Sequence, residues 1–206
     1  MPVRDNTKIW NFYAPVYDKF MISNKKAYDE MYQKIRKVIQ NRKVLELACG
    51  TGLIANHVAD VSKAYIATDF SENMLIQAQK HKSTDRLRYM KADASNLPFE
   101  NHSFDVIIIA NALHIVPNPE KVLSEIARVL RTGGILIAPN FIHENLTGKA
   151  LLMSKMLTMA GIAFETKWNA EEYVQFLKDN GFQVKKKTVL KATIPLMYTE
   201  SAYRHK

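Results

Sequence analysis

Two carboxylates, a thiol and two glycines stand out by their spacing. Glu46, Cys49, Gly50 and Gly52 fall within Val44-Leu45-Glu46-Leu47-Ala48-Cys49-Gly50-Thr51-Gly52. Asp69 closes the next apolar run, Ala64 to Thr68. Residues 44–47 favour a buried strand and run into a turn of small residues. Leu53, Ile54, His57, Val58 and Ala59 then return at near-helical spacing. A strand, a tight turn and a helix start aim backbone N–H groups at a ligand. Gly50 and Gly52 add backbone freedom and remove Cβ atoms where that ligand approaches.

Two ligand chemistries compete for this loop. Gly50 to Ala55 fits G-x-G-x-x-A, a tolerated dinucleotide fingerprint, and Asp69 fits its ribose-binding acid. Glu46 argues against a dinucleotide, because a carboxylate on the incoming strand repels a pyrophosphate at the helix start. The same carboxylate suits a ligand bearing an ammonium and a sulfonium.

Glu46 to Gly52 resembles the E-x-G-x-G-x-G loop of class I S-adenosylmethionine-dependent methyltransferases. Ala48 stands in place of the first glycine; alanine fits there if its φ is negative. The run from Asp93 to Asp105 resembles the family's D-A-x-x-L-P-F-x-x-x-S-F-D. Ala112 to Val116 and Glu125 to Gly134 resemble its A-x-H-x-V and E-I-x-R-V-L-x-x-G-G. The resemblance implies S-adenosylmethionine as cofactor, held at Glu46, Ala48, Cys49, Gly50 and Gly52. It also implies that Asp93 accepts from the adenine amino group and that the Ala94 N–H donates to the ring.

The residues themselves extend this site. A carboxylate at a strand end, Asp69, can take both ribose hydroxyls. Phe70 or Met74 can cover the adenine face; plain core packing is an equal reading of Met74. Asn111 and His114 follow the apolar strand Val106 to Ile109, at the carboxyl edge where open α/β sheets bind ligands. His114 is the best-placed imidazole for a general base; a packed, hydrogen-bonded histidine is the plainer reading of it.

The flanks read as cover. Trp10 to Asp18 resembles a W-x-x-x-A-x-x-Y-D segment of small-molecule methyltransferases, among them those that C-methylate quinone precursors. In such relatives it folds over the cofactor, which makes Tyr13 and Tyr17 lid candidates. Residues 143–180 hold a Met-rich insertion with Met153, Met156 and Met159. Thioethers suit an irregular apolar pocket and are equally ordinary core filler. Met156 and Trp168 are its candidates for touching substrate.

The elements that must position these groups follow in order. Asn24 to Gln40 predicts an amphipathic helix with Ala27, Met31, Ile35, Val38 and Ile39 inward. Ser71 predicts an N-cap. Strands are expected at 87–91, 135–138, 183–190 and 194–203, and helices at 120–130 and from 168 to the Asn180-Gly181 stop. The βαβα alternation supports an α/β fold. The resemblance implies a doubly wound, seven-stranded, mostly parallel Rossmann-like methyltransferase sheet with an antiparallel last hairpin. One domain spans 1–206: lid and helix 1–43, cofactor core 44–142, substrate cap 143–180 and last strands 181–206.

Composition bounds the function. The 206 residues are 47% apolar, enough for a full core. A single Cys excludes an intrachain disulfide and a Cys-rich metal site, and no metal-spaced cluster is present. The net charge of +9 divides as +6 over 1–43, −1 over 44–142 and +4 over 143–206. Solvated helix and strand faces are the plainer reading; attraction to an anionic substrate or an acidic surface is the sharper one. No basic groove interleaved with aromatics marks a nucleic-acid site. The apolar stretch 150–164 is interrupted and too short to span a bilayer, and no secretory leader is apparent. The expectation is a cytoplasmic small-molecule methyltransferase of open oligomeric state. A non-catalytic cofactor-binding protein is one alternative. A nucleic-acid or protein methyltransferase is the other, weakened by the lack of an Asn/Asp-Pro-Pro-Tyr run after the fourth strand.

Overall fold

The computed structural model describes residues 24–143, 146, 148, 151–152 and 166–204. Tyr13 and Tyr17, the lid candidates, lie outside the described residues, as do Met153, Met156 and Met159.

The elements are α1 (Lys25–Ile39), β1 (Lys43–Leu47), α2 (Ala55–Val58), a 3-10 turn (Ala59–Val61), β2 (Ala64–Asp69), α3 (Glu72–Gln79), β3 (Leu87–Lys91) and β4 (Phe104–Ile109). Next come α4 (Pro119–Val129), β5 (Leu130–Ile137), β6 (Asn140–Phe141), α5 (Ala170–Asp179), β7 (Phe182–Leu190) and β8 (Leu196–Tyr203). Strands β3, β2, β1, β4 and β5 lie side by side and parallel. β8 follows β5 antiparallel and also pairs with β6 and β7. The seven expected strands are all present. The eighth, β6, exists because Pro139 has no N–H to donate and interrupts the ladder after β5.

The chain steps from β1 to β2 on one side and returns to β4 on the other. This reversal opens a crevice at the carboxyl ends of β1 and β4, where such sheets bind ligands. Both sheet faces are covered. Val44, Tyr65, Leu87 and Val106 pack with α1 and α2, while Leu45, Ile107 and Leu136 pack with α4 and α5. The inner strands are therefore apolar on both sides, as in any buried parallel sheet.

α1 buries Ala27, Tyr28, Met31, Tyr32, Ile35 and Ile39. Met31, Ile35 and Ile39 are wholly buried, each contributing about 1.5–3 kcal/mol. Arg36 on its outer side donates to both Asp60 oxygens and to the His57 carbonyl. Tyr32 stacks on the His57 ring at 4.5 Å. These contacts hold α1 against the turn that follows the loop.

Three local features depart from expectation. The helical pattern after the loop yields only four residues of α-helix, since residues 51–54 are spent on the turn. β5 starts at Leu130, five residues before Ile135. Its Arg131-Thr132-Gly133-Gly134 run bulges out between the pairs Phe104–Leu130 and Val106–Ile135. A Cβ on Gly134 would sit 2.7 Å from Leu130 Cδ1, so that bulge closes only over glycine.

The third departure is Ala48. Its φ is +51°, not the negative value at which alanine is unstrained. Gly50 at +56° and Gly52 at +76° turn the same way, so the backbone reverses through alternate left-handed positions. Neighbouring bonds enforce the strain. Cys49 N–H donates to the Thr68 carbonyl at 2.9 Å, and Gly50 N–H donates to Asp69 Oδ2 at 2.8 Å. A left-handed alanine costs about 1–2 kcal/mol. Ala48→Gly should therefore stabilise the protein by about 0.5–1 kcal/mol once glycine's extra chain entropy is subtracted. Urea unfolding measures this, and a glycine variant less stable than wild type would contradict the left-handed assignment.

Candidate cofactor and active site

The loop hangs on two acids at the ends of adjacent strands. Asp69, last in β2, accepts from Gly50 N–H at Oδ2 and from Ser71 N–H at Oδ1, both at 2.8 Å. One carboxylate thus fastens the β1 loop to the start of α3. Ser71 caps that helix by accepting from Met74 N–H at 3.2 Å. With the Phe70 amide also on it, the carboxylate keeps one lone pair for a ligand hydroxyl. Burial pushes its carboxyl up, against the pull of the Ser71, Gly50 and Phe70 amides.

Glu46 lies beneath the loop and is only 2% exposed. Tyr65 Oη donates to its Oε2 at 2.8 Å, and the Ala55 N–H at the start of α2 also bonds it. Burial pushes its carboxyl up to about 8, and the charge of Asp69 adds to this; the bonds from Tyr65 and Ala55 act the other way. Cys49 is buried beside both acids. Burial first, and then their charges, hold its thiol well above the ordinary range, so it is a small neutral group and not a nucleophile.

Gly52 is demanded by contact as well as by conformation. A Cβ there would fall on the Tyr89 hydroxyl, which donates to Asn56 Oδ1 at 2.9 Å. Tyr65, Tyr89 and Asn56 form a supporting set that sequence reasoning missed, because an aromatic in a strand reads as plain core.

The remaining expected residues separate into a cluster and outliers. Phe70, beside Asp69, is 53% exposed, an aromatic face left open at the carboxyl edge. Met74 is 2% exposed. Ala92 N–H donates to the Asp69 carbonyl at 3.1 Å, bringing the Asp93-Ala94 turn to the same edge. Asp93 is exposed and accepts from Ser95 N–H and Oγ through Oδ1, which leaves Oδ2 for a ligand. Asn111, just past β4, also has a left-handed φ of +53°. Its N–H donates to the Pro139 carbonyl at 2.8 Å and its Nδ2 to Tyr28 Oη at 3.0 Å. Its Oδ1 is buried without a hydrogen-bond partner.

His114 and Trp168 are both buried in the packing. His114 is 2% exposed, its Nδ1 is 2.7 Å from Asn140 Oδ1, and its ring meets Phe141 edge-on. Burial pushes it down to about 4, so it is neutral at pH 7. Donation from Nδ1–H to Asn140 would make Nε2 the proton-accepting nitrogen. Trp168 stacks on Phe176 at 4.6 Å and touches Tyr173, packing α5 onto the sheet. Among the described residues no group of acids, histidines and cysteine could hold a metal, and no helix is long and apolar enough to cross a membrane.

Glu46 sets a pH dependence. At pH 7 in the free protein it carries its proton, and a cation brought to the loop favours the carboxylate and expels it. Binding of such a ligand should tighten as pH rises toward 8 and level off above. For stability the sign is opposite. Folding takes up a proton at Glu46 between its ordinary range and 8, so its stabilising contribution is full below that range and fades up to 8. Calorimetry at pH 7 in two buffers of different ionisation heat should show up to one proton released per S-adenosylmethionine, and Glu46→Gln should remove it. Equal heats in both buffers for wild type would contradict the buried neutral acid.

The likeness to known proteins covers the segment that carries this cluster. Residues 45–138 match the family described as "Methyltransferase domain". The chain is 32% identical over 164 residues to a demethylmenaquinone methyltransferase of Paenarthrobacter aurescens, covering 79% of this chain and 64% of that one. It is 32% identical to an uncharacterized chloroplastic methyltransferase of Arabidopsis thaliana, over 56% of this chain and 35% of that one. The chain thus spans 35% to 64% of the length of these curated relatives. A methyltransferase solved in complex with the Trm112 methyltransferase activator of Haloferax volcanii superposes with a TM-score of 0.80 at 20% identity, covering 95% of this chain and 98% of that one. Magnesium protoporphyrin IX methyltransferase from Synechocystis, solved with S-adenosylhomocysteine, superposes at 0.68 with 16% identity over 90% and 87% of the two chains. These two structures show the shared fold.

The residues present fit the cofactor that this domain takes, S-adenosylmethionine. Asp69 offers a spare lone pair, Phe70 an open ring, Glu46 a reserve of negative charge, and Asn111 a buried oxygen lacking a donor. Residues 45–138 thus match the methyltransferase domain family, on a sheet whose fold solved methyltransferases share.

Proposed function

We propose that the chain transfers the methyl group of S-adenosylmethionine to a small-molecule acceptor. The bound cofactor supplies an electrophilic methyl carbon on a sulfonium. Displacement there asks the protein for alignment and exclusion of water more than for covalent help. Asp69 is assigned to the ribose hydroxyls, Asp93 and Ala94 to the adenine, Phe70 and Met74 to its faces, and Asn111 to the methionyl end. Glu46, Ala48, Cys49, Gly50 and Gly52 shape and charge the loop beneath. Tyr13, Tyr17, Met156 and Trp168 are the assigned cover and acceptor contacts, and His114 the general base where the acceptor must lose a proton. His114's burial makes this role depend on access to Nε2.

The observation carrying the acceptor class is the identity of the relatives. Several are demethylmenaquinone methyltransferases, and another is a phthiotriol/phenolphthiotriol dimycocerosates methyltransferase of Mycobacterium leprae. All of these names describe metabolites, not macromolecules. One observation favours a second reading: the Haloferax volcanii neighbour is held in complex with a methyltransferase activator, which suits an enzyme needing a partner subunit.

Methyl-labelled S-adenosylmethionine and a fractionated cell extract separate these readings. Label should enter the organic-soluble or small-molecule fraction in an enzyme-dependent way. Label entering only protein or RNA would overturn the small-acceptor proposal, and no transfer to any fraction would favour a non-catalytic binder.

A further inference from the structure

Glu125 and Arg128, three positions apart on α4, both bond to the backbone of the loop that joins β3 to β4. Glu125 Oε2 accepts from the Leu97 N–H at 2.7 Å. Arg128 Nη2 donates to the Leu97 carbonyl at 2.9 Å, and Nη1 to the Phe99 carbonyl at 2.7 Å. Nη1 also donates to Asn101 Oδ1 at 3.0 Å. The two side chains meet fork to fork, Nε on Oε1 at 2.8 Å and Nη2 on Oε2 at 2.7 Å. That pairing fixes the guanidinium plane. The guanidinium also holds the Glu125 carboxyl below the ordinary carboxylate range, so the acid stays charged at pH 7. A guanidinium only donates and a carboxylate only accepts, so each bond in this set has one possible sense.

The loop just upstream of Leu97 is a closed turn. Asn96 N–H donates to the Asp93 carbonyl at 3.0 Å. The Ser95 N–H and Oγ both donate to Asp93 Oδ1 at 2.8 Å. Before the turn, Ala92 N–H donates to the Asp69 carbonyl at 3.1 Å. After it, Leu97 is held through both its N–H and its carbonyl by α4. The turn is thus a small bonded unit strung between the end of β2 and the pair on α4. Asp93 is exposed, and those two anchors decide where it stands at the carboxyl edge.

We propose that Glu125 and Arg128 are positioning residues for base recognition. They set the downstream anchor of the Asp93–Asn96 turn, and with it the placement of the Asp93 carboxylate and the Ala94 N–H against the purine. α4 thereby takes part in choosing the nucleoside, acting through the turn. The inference rests on the proposed assignment of adenine to Asp93 and Ala94.

The test compares S-adenosylhomocysteine with S-inosylhomocysteine by calorimetry. In the second compound an oxygen replaces the amino group and the ring N1 becomes a donor. Asp93 accepts from the first base and repels the second. Wild type should prefer the adenosyl compound by about tenfold or more, the scale of one bond to a charged group. Asp93→Asn should remove most of that preference. Arg128→Lys keeps the charge and loses the fork, and Glu125→Ala releases the Leu97 N–H. Each should reduce the preference about threefold, the scale of one neutral bond, with no further effect in the Asp93→Asn background. Glu125→Gln keeps an oxygen for the Leu97 N–H and should retain more of the preference than Glu125→Ala. Arg131→Lys disturbs the neighbouring ion pair with Asp105; it controls for lost stability alone and should leave the preference intact. A preference unchanged in Arg128→Lys and Glu125→Ala, or reduced equally by Arg131→Lys, would overturn the proposal. A wild type without the preference, or a preference that survives Asp93→Asn, would overturn the adenine assignment and the proposal with it. Failure of wild type to bind S-adenosylhomocysteine at all would instead overturn the cofactor.

Discussion

Two acids at neighbouring strand ends, both taken out of water, are the constraint on which the site depends. Glu46 and Asp69 cannot both ionise cheaply in a low-dielectric setting, and burial raises both. The backbone answers for Asp69 with three amides, those of Gly50, Ser71 and Phe70. For Glu46 it answers with one amide and the Tyr65 hydroxyl. Those bonds fix the path of the loop, which forces Ala48 and Gly50 into left-handed conformations. The uncompensated part of the negative charge remains as an affinity for a cation.

Much of the scaffold serves to keep this arrangement from relaxing. The Tyr89 hydroxyl fills the space a Cβ on Gly52 would need, which sets how closely the loop meets β3. Arg36 and Tyr32 hold α1 against the turn after α2, and Tyr28 carries α1 across to Asn111. The sheet positions the ends of β1, β2, β3 and β4 along one edge. No single strand holds the site; it is the convergence of their loops.

Residue type made some of this legible and hid the rest. The apolar runs of β1, β2 and β4 and the amphipathic pattern of α1 report burial directly, so those elements fall where periodicity puts them. Asp69, Asp93 and Asn111 could be placed at the carboxyl edge because each follows such a run. Nothing in the letter Ala marks a positive φ at Ala48. That conformation is imposed by bonds to Thr68 and Asp69, which are distant in sequence. Asn111 did carry a signal, since asparagine tolerates the left-handed region. Tyr28 and Tyr65 read as core, and they are core; their hydroxyls become polar partners only when the sheet brings Asn111 and Glu46 to them. The expected strand at 135–138 missed the start of β5 at Leu130, because Gly133 and Gly134 form a bulge within it.

The central claim is that a loop which could be mistaken for a dinucleotide fingerprint is tuned, by a carboxylate beneath it, to a cationic nucleoside. Titrating the protein with S-adenosylmethionine and with NAD by calorimetry at pH 8, where Glu46 ionises readily, tests this most directly. The account predicts saturable binding of S-adenosylmethionine and none of NAD under the same conditions. NAD binding as tight as S-adenosylmethionine, or tighter, would contradict it.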